Sequence, residues 1–478
     1  MAVYKITGKQ KAEEICQIVK TEQGEGFTLY EIEVTLQTFH WRVNHRYSEF
    51  HELHDKLTSQ FGIDKNLLPP KKLFGNQSEV FIKCRQMDLQ LYLQKLLQQF
   101  KVIPYLLAEF LHFPKYEIHG ITESLAEKLF YEGDQILANN KEFTMTPLQL
   151  YALSERLKLA EPTCWSGSKS RDLGHLLDFI SQLKYLRIVG SDEFVFNSNI
   201  IPNKLKFDLA AFKSLNKLKI ECCNLEHHIT GIEVIRQTVS TLTVHNSIQD
   251  INSLLLASFL HWSPLSNSKN WPTWQKVGNA DFSHNRMTKI NPAIKLLCVV
   301  EQLNLSYNKI REIENLESLP RLSTLNLSHN QIHKLEMLHT RLGNVCHLNL
   351  SKNNITSLQG MSRLYSLIEL DVSNNNILEL DEISHVGGLP CLEILILINN
   401  PVTTAVDYRS HVLLAFGSRV SELSLDGQKA SQKELDTVAV MQALKAAKEG
   451  RILQQTNQNT HGEKATGILA SGTSQQCF

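Results

Sequence analysis

The sequence predicts an α+β domain followed by a parallel-stranded α/β solenoid, with a C-terminal cap and a disordered tail. Three observations carry this reading. Between residues 275 and 402, six segments read apolar-x-x-apolar-x-apolar-x-x-Asn, with the asparagines at Asn285, Asn308, Asn330, Asn353, Asn375 and Asn400. Upstream, residues 1–115 alternate like strands and then turn helical. After Pro401 the leucine pattern lapses, and Ser431 with Glu434 forms a capping box before an amphipathic helix through Lys448.

The repeat is the strongest signal. Its asparagines stand 23, 22, 23, 22 and 25 residues apart, the period of a leucine-rich repeat. The last two apolar positions are two apart, so both leave a short strand on one side. The asparagine amide can satisfy backbone groups left unpaired by the turn, and stacked copies extend this into a ladder. One copy cannot bury its leucines alone, so neighbours must stack. The leucines are therefore core, and the array offers a binding surface rather than a reaction centre. Degenerate copies precede it over 173–260: Leu183, Leu186, Ile188; then Leu215, Leu218, Ile220, with Cys223 at the asparagine position; then Val239, Leu242, Val244. Residues 261–274, rich in Ser, Asn, Trp and Pro, read as an insertion loop.

The residues flanking the inward positions face the concave side. They are polar in the first five regular repeats and become Ile394, Ile396 and Ile398 in the last. Two readings stand. Residues 403–450 fold back over the isoleucines through the helix holding Leu435, Val438 and Leu444, or the isoleucines form an exposed partner site.

Composition sets the background. The 49 basic and 49 acidic residues cancel, so nothing global argues for nucleic acid. No signal peptide and no span of 18 apolar residues is visible. Nine scattered cysteines form no C-x-x-C pair and read as reduced thiols in the cytosol.

In the first domain, Gly26 to Leu36 and Thr38 to Asn44 read as strands. Ser48 to Phe61 has helical spacing through Phe50, Leu53 and Leu57. Pro69-Pro70 breaks the chain, and residues 79–113 carry a long helical periodicity. Residues 121–172 read as a helical connector, 403–450 as the cap, and 451–478 as the disordered tail.

The chemistry gathers near the N-terminus. His45-Arg46-Tyr47 ends a strand and opens a helix, where an anion meets an arginine fork and the positive end of the helix. Leu68-Pro69-Pro70-Lys71 forms a rigid loop presenting a lysine, and Arg85 lies on the next helix. Three cations around one aromatic describe a pocket for a phosphorylated polyol.

This set resembles the PX (phox homology) domain, a phosphoinositide reader, over roughly residues 10–120, within a domain of residues 1–120. The resemblance implies that Arg46 holds the 3-phosphate of phosphatidylinositol 3-phosphate and that Tyr47 stacks on the inositol ring. It implies that Lys71 contacts the 1-phosphate and Arg85 the 4- and 5-hydroxyls. His45 stands where a second arginine is common. Leu73 and Phe74 come next on the loop and either insert into a bilayer or pack against their own domain.

Catalytic motifs are lacking: no GxSxG, HExxH, P-loop or GxGxxG occurs. His51 and His54 have no further ligands nearby and read as an exposed helix face, with no metal or cofactor expected. A PX domain followed by leucine-rich repeats, with blocks such as NLLPPKK (66–72) and DLGHLLDF (172–179), resembles cytosolic scaffolds of early or recycling endosomes. That resemblance implies an integrin alpha-5 tail, Rac and p21-activated kinase as partners, restraint of cell migration, and a short form of a longer scaffold. Plasma-membrane association and a homo-oligomer are compatible with it. The competing reading is a lipid-independent scaffold in which the first domain only packs or dimerises.

Overall fold

The computed structural model describes residues 2–5, 12–71, 78–100, 102–159, 169–226, 228–257 and 272–462. The chain divides into two compact units, Met1–Leu303 and Asn304–Phe478.

The first unit contains an antiparallel sheet of β1 (Cys16–Gly24), β2 (Phe27–Leu36) and β3 (Phe39–Arg46), with β2 in the centre. Alternation drives it: Tyr30, Ile32 and Val34 of β2 and Trp41 and Val43 of β3 point inward and are buried. Strand β1 had no counterpart among the strands read from the sequence. Only Cys16 and Ile18 are buried there, and the register slips between Ile18 and Lys20, so the period-2 signal is lost. Helix α1 (Tyr47–Phe61) follows β3 directly and stops at Gly62, whose φ of 66° any side chain would strain. Helix α2 (Glu79–Gln99) packs Leu89, Tyr92, Leu93 and Leu96 into the same core. Phe50 is the hub, in edge contact with Tyr30, Tyr92 and Phe110, the last on α3 (Tyr105–Phe110).

Helix α4 (Ile118–Ala138) leads to β4 (Phe143–Met145), α5 (Pro147–Leu157) and α6 (Leu173–Gln182). The parallel ladder of the solenoid begins at β4, inside the stretch expected to be a helical connector. Phe143 pairs with Leu186 of β5 (Tyr185–Val189) and Met145 with Ile188. The ladder continues through β6 (Lys217–Glu221), β7 (Thr241–His245) and β8 (Asn279–Asp281). The expected degenerate copies thus join one sheet with their apolar residues buried. Most of the expected insertion loop lies outside the described residues, but Trp274 at its end is fully buried.

The segment between β5 and β6 does something unforeseen. Its residues Asn197–Asn199 lie antiparallel along the free edge of β3. The Arg42 amide donates to the Asn197 carbonyl (2.9 Å), the Asn199 amide to the His40 carbonyl (3.0 Å), and Trp41 bridges Ser198. The Asn199 side chain accepts from the His40 amide (2.9 Å) and donates to the Thr38 carbonyl (2.8 Å).

Strand β9 (Gln302–Asn304) falls at the division of the units. In the second unit, β10 (Thr324–Asn326), β11 (His347–Asn349), β12 (Glu369–Asp371) and β13 (Ile394–Ile396) run parallel in register. Their leucines are buried and the asparagine ladder forms. Asn353 Nδ2 donates to the carbonyls of Leu327 (3.0 Å), Leu350 (3.0 Å) and Ser351 (3.3 Å), while its Oδ1 accepts from the Ile332 amide (3.0 Å). Asn330, Asn375 and Asn400 repeat the pattern. In the first unit Cys223 occupies the asparagine position, and its thiol donates toward the Glu221 carbonyl (3.3 Å).

The cap comprises α7 (Tyr408–Ala415), β14 (Ser424–Leu425), β15 (Gln428–Lys429) and α8 (Gln432–Gly462). Ser431 and Glu434 form the expected capping box. Arg409 holds α8 to α7 through Glu434 at 2.6 Å and draws that carboxyl well below its usual range. The helix does not stop at Lys448: its backbone runs to Gly462, so the first part of the expected disordered tail is helical. Residues 463–478 lie outside the described residues.

Candidate functional site

Four parts of the chain converge on one cavity of about 520 Å³ in the N-terminal domain. The β1–β2 turn brings Gly26 and Phe27, the β3–α1 junction brings Arg46, Tyr47 and Ser48, and Lys71 and Arg85 close it from the proline loop and α2. All four residues expected to hold a headgroup, Arg46, Tyr47, Lys71 and Arg85, line this cavity.

Local structure explains each position. Arg46 is the N-cap of α1, and its amide donates to the Glu49 carboxylate at 2.7 Å. Its exposed guanidinium lies 3.6 Å over the ring of Phe27, a cation–π contact that aims it across the mouth. Tyr47 is half-buried and donates its hydroxyl to the Pro69 carbonyl, pinning the proline loop. Burial raises its phenol above the ordinary value, and the Arg85 charge partly offsets this. Arg85 is buried between two rings, 4.2 Å from Tyr47 and 4.4 Å from Phe81, and donates to the Pro70 carbonyl at 2.9 Å. Lys71 is exposed at the rim. Leu73 and Phe74 lie outside the described residues.

His45 does not face the cavity. Its ring stacks on Phe110 at 3.7 Å, with Nε2 2.7 Å from the Phe110 carbonyl and Nδ1 3.3 Å from Glu49. Burial lowers its imidazole below the ordinary value, against the pull of that carbonyl and of Glu49. His45 is thus half-buried against Phe110 in this chain.

Phe27, Glu52 and Asp55 of the site were not singled out from sequence, and His51 was read only as part of an exposed helix face. Phe27 supports Arg46, and His51, Glu52 and Asp55 line the cavity on α1. Their helical spacing from Ser48 was a usable signal. His51 pairs with Asp55 at 3.0 Å and is exposed. His54, expected on the same exposed face, is buried instead, with Nε2 3.2 Å from the Lys65 carbonyl and Nδ1 3.3 Å from the Tyr92 hydroxyl. No group of three or more metal-ligating side chains occurs among the described residues.

The PX domain family matches residues 33–114, and the Leucine Rich repeats (2 copies) family matches residues 298–338. The chain carries a PX domain. Sorting nexin-13 of Homo sapiens is 30% identical over 139 residues, which is 27% of this chain and 13% of that protein. The serine/threonine-protein kinase Sgk3 of Rattus norvegicus is 33% identical over 78 residues, 16% of each protein. The match therefore spans a small part of these curated relatives. Among solved structures, an internalin from Listeria monocytogenes superposes with a TM-score of 0.33 at 18% identity, covering 58% of this chain and 63% of its own. A leucine-rich-repeat protein of Leptospira interrogans gives 0.34 at 22% identity, covering 54% and 59%. Among the described residues, no helix is long and apolar enough to cross a membrane.

Proposed function

We propose that this protein is a membrane-recruited adaptor whose PX domain binds phosphatidylinositol 3-phosphate and whose repeats recruit signalling proteins. The observation that carries it is the gathering of Arg46, Tyr47, Lys71 and Arg85 around one open cavity. A phosphomonoester there meets the Arg46 fork beside the N-terminus of α1, where charge-assisted bonds and the helix dipole act together. Arg85, fixed by two rings and a carbonyl, offers its remaining donors to ring hydroxyls. Leu73 and Phe74, which lie outside the described residues, are assigned by the same reading to bilayer contact. Recruitment places the protein on endosomal membranes from the cytoplasm. The domain order supports a nischarin-like scaffold, with integrin alpha-5, Rac and p21-activated kinase as partners and restraint of cell migration as the outcome. The partner patch is Ile394, Ile396 and Ile398, which are half-buried to exposed.

Sedimentation of the full chain with vesicles containing phosphatidylinositol 3-phosphate, against vesicles containing phosphatidylinositol alone, tests the lipid reading. Selective sedimentation with the phosphorylated lipid is expected. Equal recovery on both leaves the PX fold as a packing module in a lipid-independent scaffold.

A further inference from the structure

Strand β13 breaks the polarity of its face. The helix expected to cover its isoleucines packs elsewhere: α8 lies against α7, Val438 is buried there, and Leu444 is exposed. Ile394 and Ile396 are half-buried, and Ile398 is 44% exposed. Serines at the position of Ile398 in earlier repeats, Ser328 and Ser373, are 6% and 8% exposed. The last repeat therefore puts a large apolar side chain into water where its neighbours bury a hydroxyl.

The adjoining strand is acidic. Glu369 stands opposite Ile394 and Asp371 opposite Ile396. Adjacent strands lie about 4.8 Å apart, so both carboxylates border the apolar step. Glu369 pairs with His347 at 3.1 Å, and Asp371 Oδ1 accepts from the Ser373 amide at 2.9 Å. On the other side, Asp426 is spent internally, accepting from the Leu397 amide (2.7 Å) and the Tyr408 hydroxyl (2.9 Å). From Thr324 to Ile398, no position flanking the inward strand residues on this face carries lysine or arginine.

We propose that Ile394, Ile396 and Ile398, with Glu369 and Asp371, form a docking surface for an amphipathic basic segment of a partner protein. Its apolar side chains cover the isoleucines, and its lysines or arginines meet the two carboxylates. An uncovered apolar step rimmed by charge of one sign selects a partner of this chemistry, with the apolar contact holding it and the charges choosing it. The proposal rests on the reading that the repeats recruit a protein and specifies the chemistry of that protein.

The test uses three labelled amphipathic peptides of the same leucine spacing, whose polar positions are all lysine, all glutamine or all glutamate. Fluorescence anisotropy measures their binding to the full chain. The lysine peptide is expected to bind most tightly, and Ile398→Asp to weaken it at least ~10-fold by placing charge in the apolar contact. Glu369→Gln with Asp371→Asn is expected to weaken the lysine peptide by about 10-fold and to leave the glutamine peptide unchanged. Both variants should fold, because Ile398 is exposed and Asn326 and Asn349 already fill the position of Asp371 in earlier repeats, accepting from Ser328 and Ser351. Tightest, Ile398-dependent binding of the glutamine peptide overturns the charge chemistry while leaving partner recruitment standing. Binding that never depends on Ile398 overturns both.

Discussion

Replacing Arg46 by alanine gives the cleanest test of the proposed lipid site, because of how the guanidinium is held. Among the described residues, no carboxylate pairs with the Arg46 guanidinium; it rests on Phe27 at 3.6 Å and is exposed. Removing it therefore forfeits about 0.5–1 kcal/mol of exposed cation–π contact. The N-cap bond from the Arg46 amide to Glu49 is backbone-based and survives the change. A hydrogen bond to a charged phosphate is a different matter, contributing about 1.5–3 kcal/mol. Arg46→Ala should thus weaken binding to phosphatidylinositol 3-phosphate vesicles by roughly 10- to 100-fold, while the thermal midpoint barely moves. Arg85→Ala cannot serve this purpose. Its guanidinium is buried, stacked and bonded to Pro70, so its loss disturbs the pocket wall as well as the ligand. Vesicle co-sedimentation with matched melting curves separates the two effects. Unchanged affinity in a folded Arg46→Ala protein refutes the assignment of Arg46 to the phosphate.

Other contacts give further expected outcomes. Asn353→Ala removes the partner of the buried Ile332 amide and of three carbonyls, which should cost about 3–5 kcal/mol; a denaturation midpoint within error of wild type contradicts this. Burial of Glu123 raises its carboxyl to about 7, and its Oε2 has no hydrogen-bond partner among the described residues. The folded form then holds a proton that the unfolded chain releases above the ordinary carboxylate range, so stability falls as pH rises toward 7. Glu123→Gln should consequently raise the melting temperature at pH 7.5 and leave it nearly unchanged near pH 4.5, and equal shifts at both exclude the titration. Asn199→Ala deletes two bonds to the edge of β3, worth about 1 kcal/mol each. Amide exchange at residues 38–42 should quicken with that at residues 89–97 unchanged; quickening everywhere would mean global destabilisation instead.

The regular repeats were legible because their period is strict and the leucines at the pattern positions are all buried. Arg46, Tyr47, Lys71 and Arg85 were legible as a motif, and the fold brings them to one cavity. The first repeat strand was not. Phe143-Thr144-Met145 offers only two apolar residues two apart, too few to distinguish from a loop. His54 was misplaced because helical spacing from Phe50 and Leu57 puts it at the border of the buried stripe. There the Tyr92 hydroxyl and Lys65 carbonyl, distant in sequence, supply partners that allow a histidine inside. The polar concave positions carried a double meaning. Asn326 and Asn349 look like ligand-facing residues, yet each side chain accepts the amide two residues on and closes its own strand end, as Asp371 does with one of its two carboxylate oxygens, Oδ1. Fewer polar groups stay free for partners than the pattern suggests, which gives the isoleucines of β13 more weight.

The segment Asn197–Asn199 carried no readable signal, since it works through backbone groups and one amide side chain. Its effect is nonetheless large. Strand β3 ends in Arg46 and would otherwise present an unpaired edge, a template for unwanted pairing. Docking along His40 to Arg42 removes that edge. On the inner side of the same stretch, Trp41 is buried, stacks on Tyr116 at 5.2 Å and donates its indole N–H to the Leu111 carbonyl at 2.8 Å. One short strand therefore joins the pocket arginine at its end to a repeat-borne segment along its edge. Phe39 adds an edge contact to Tyr151 of α5 at 5.9 Å. A flexible linker would let the PX domain bind lipid without orienting the first repeats. Here the contacts run through backbone hydrogen bonds along an ordered strand. Under the proposed lipid reading, a headgroup held by Arg46 is coupled through β3 to the segment between β5 and β6, which pairs with residues 40–42 of that strand.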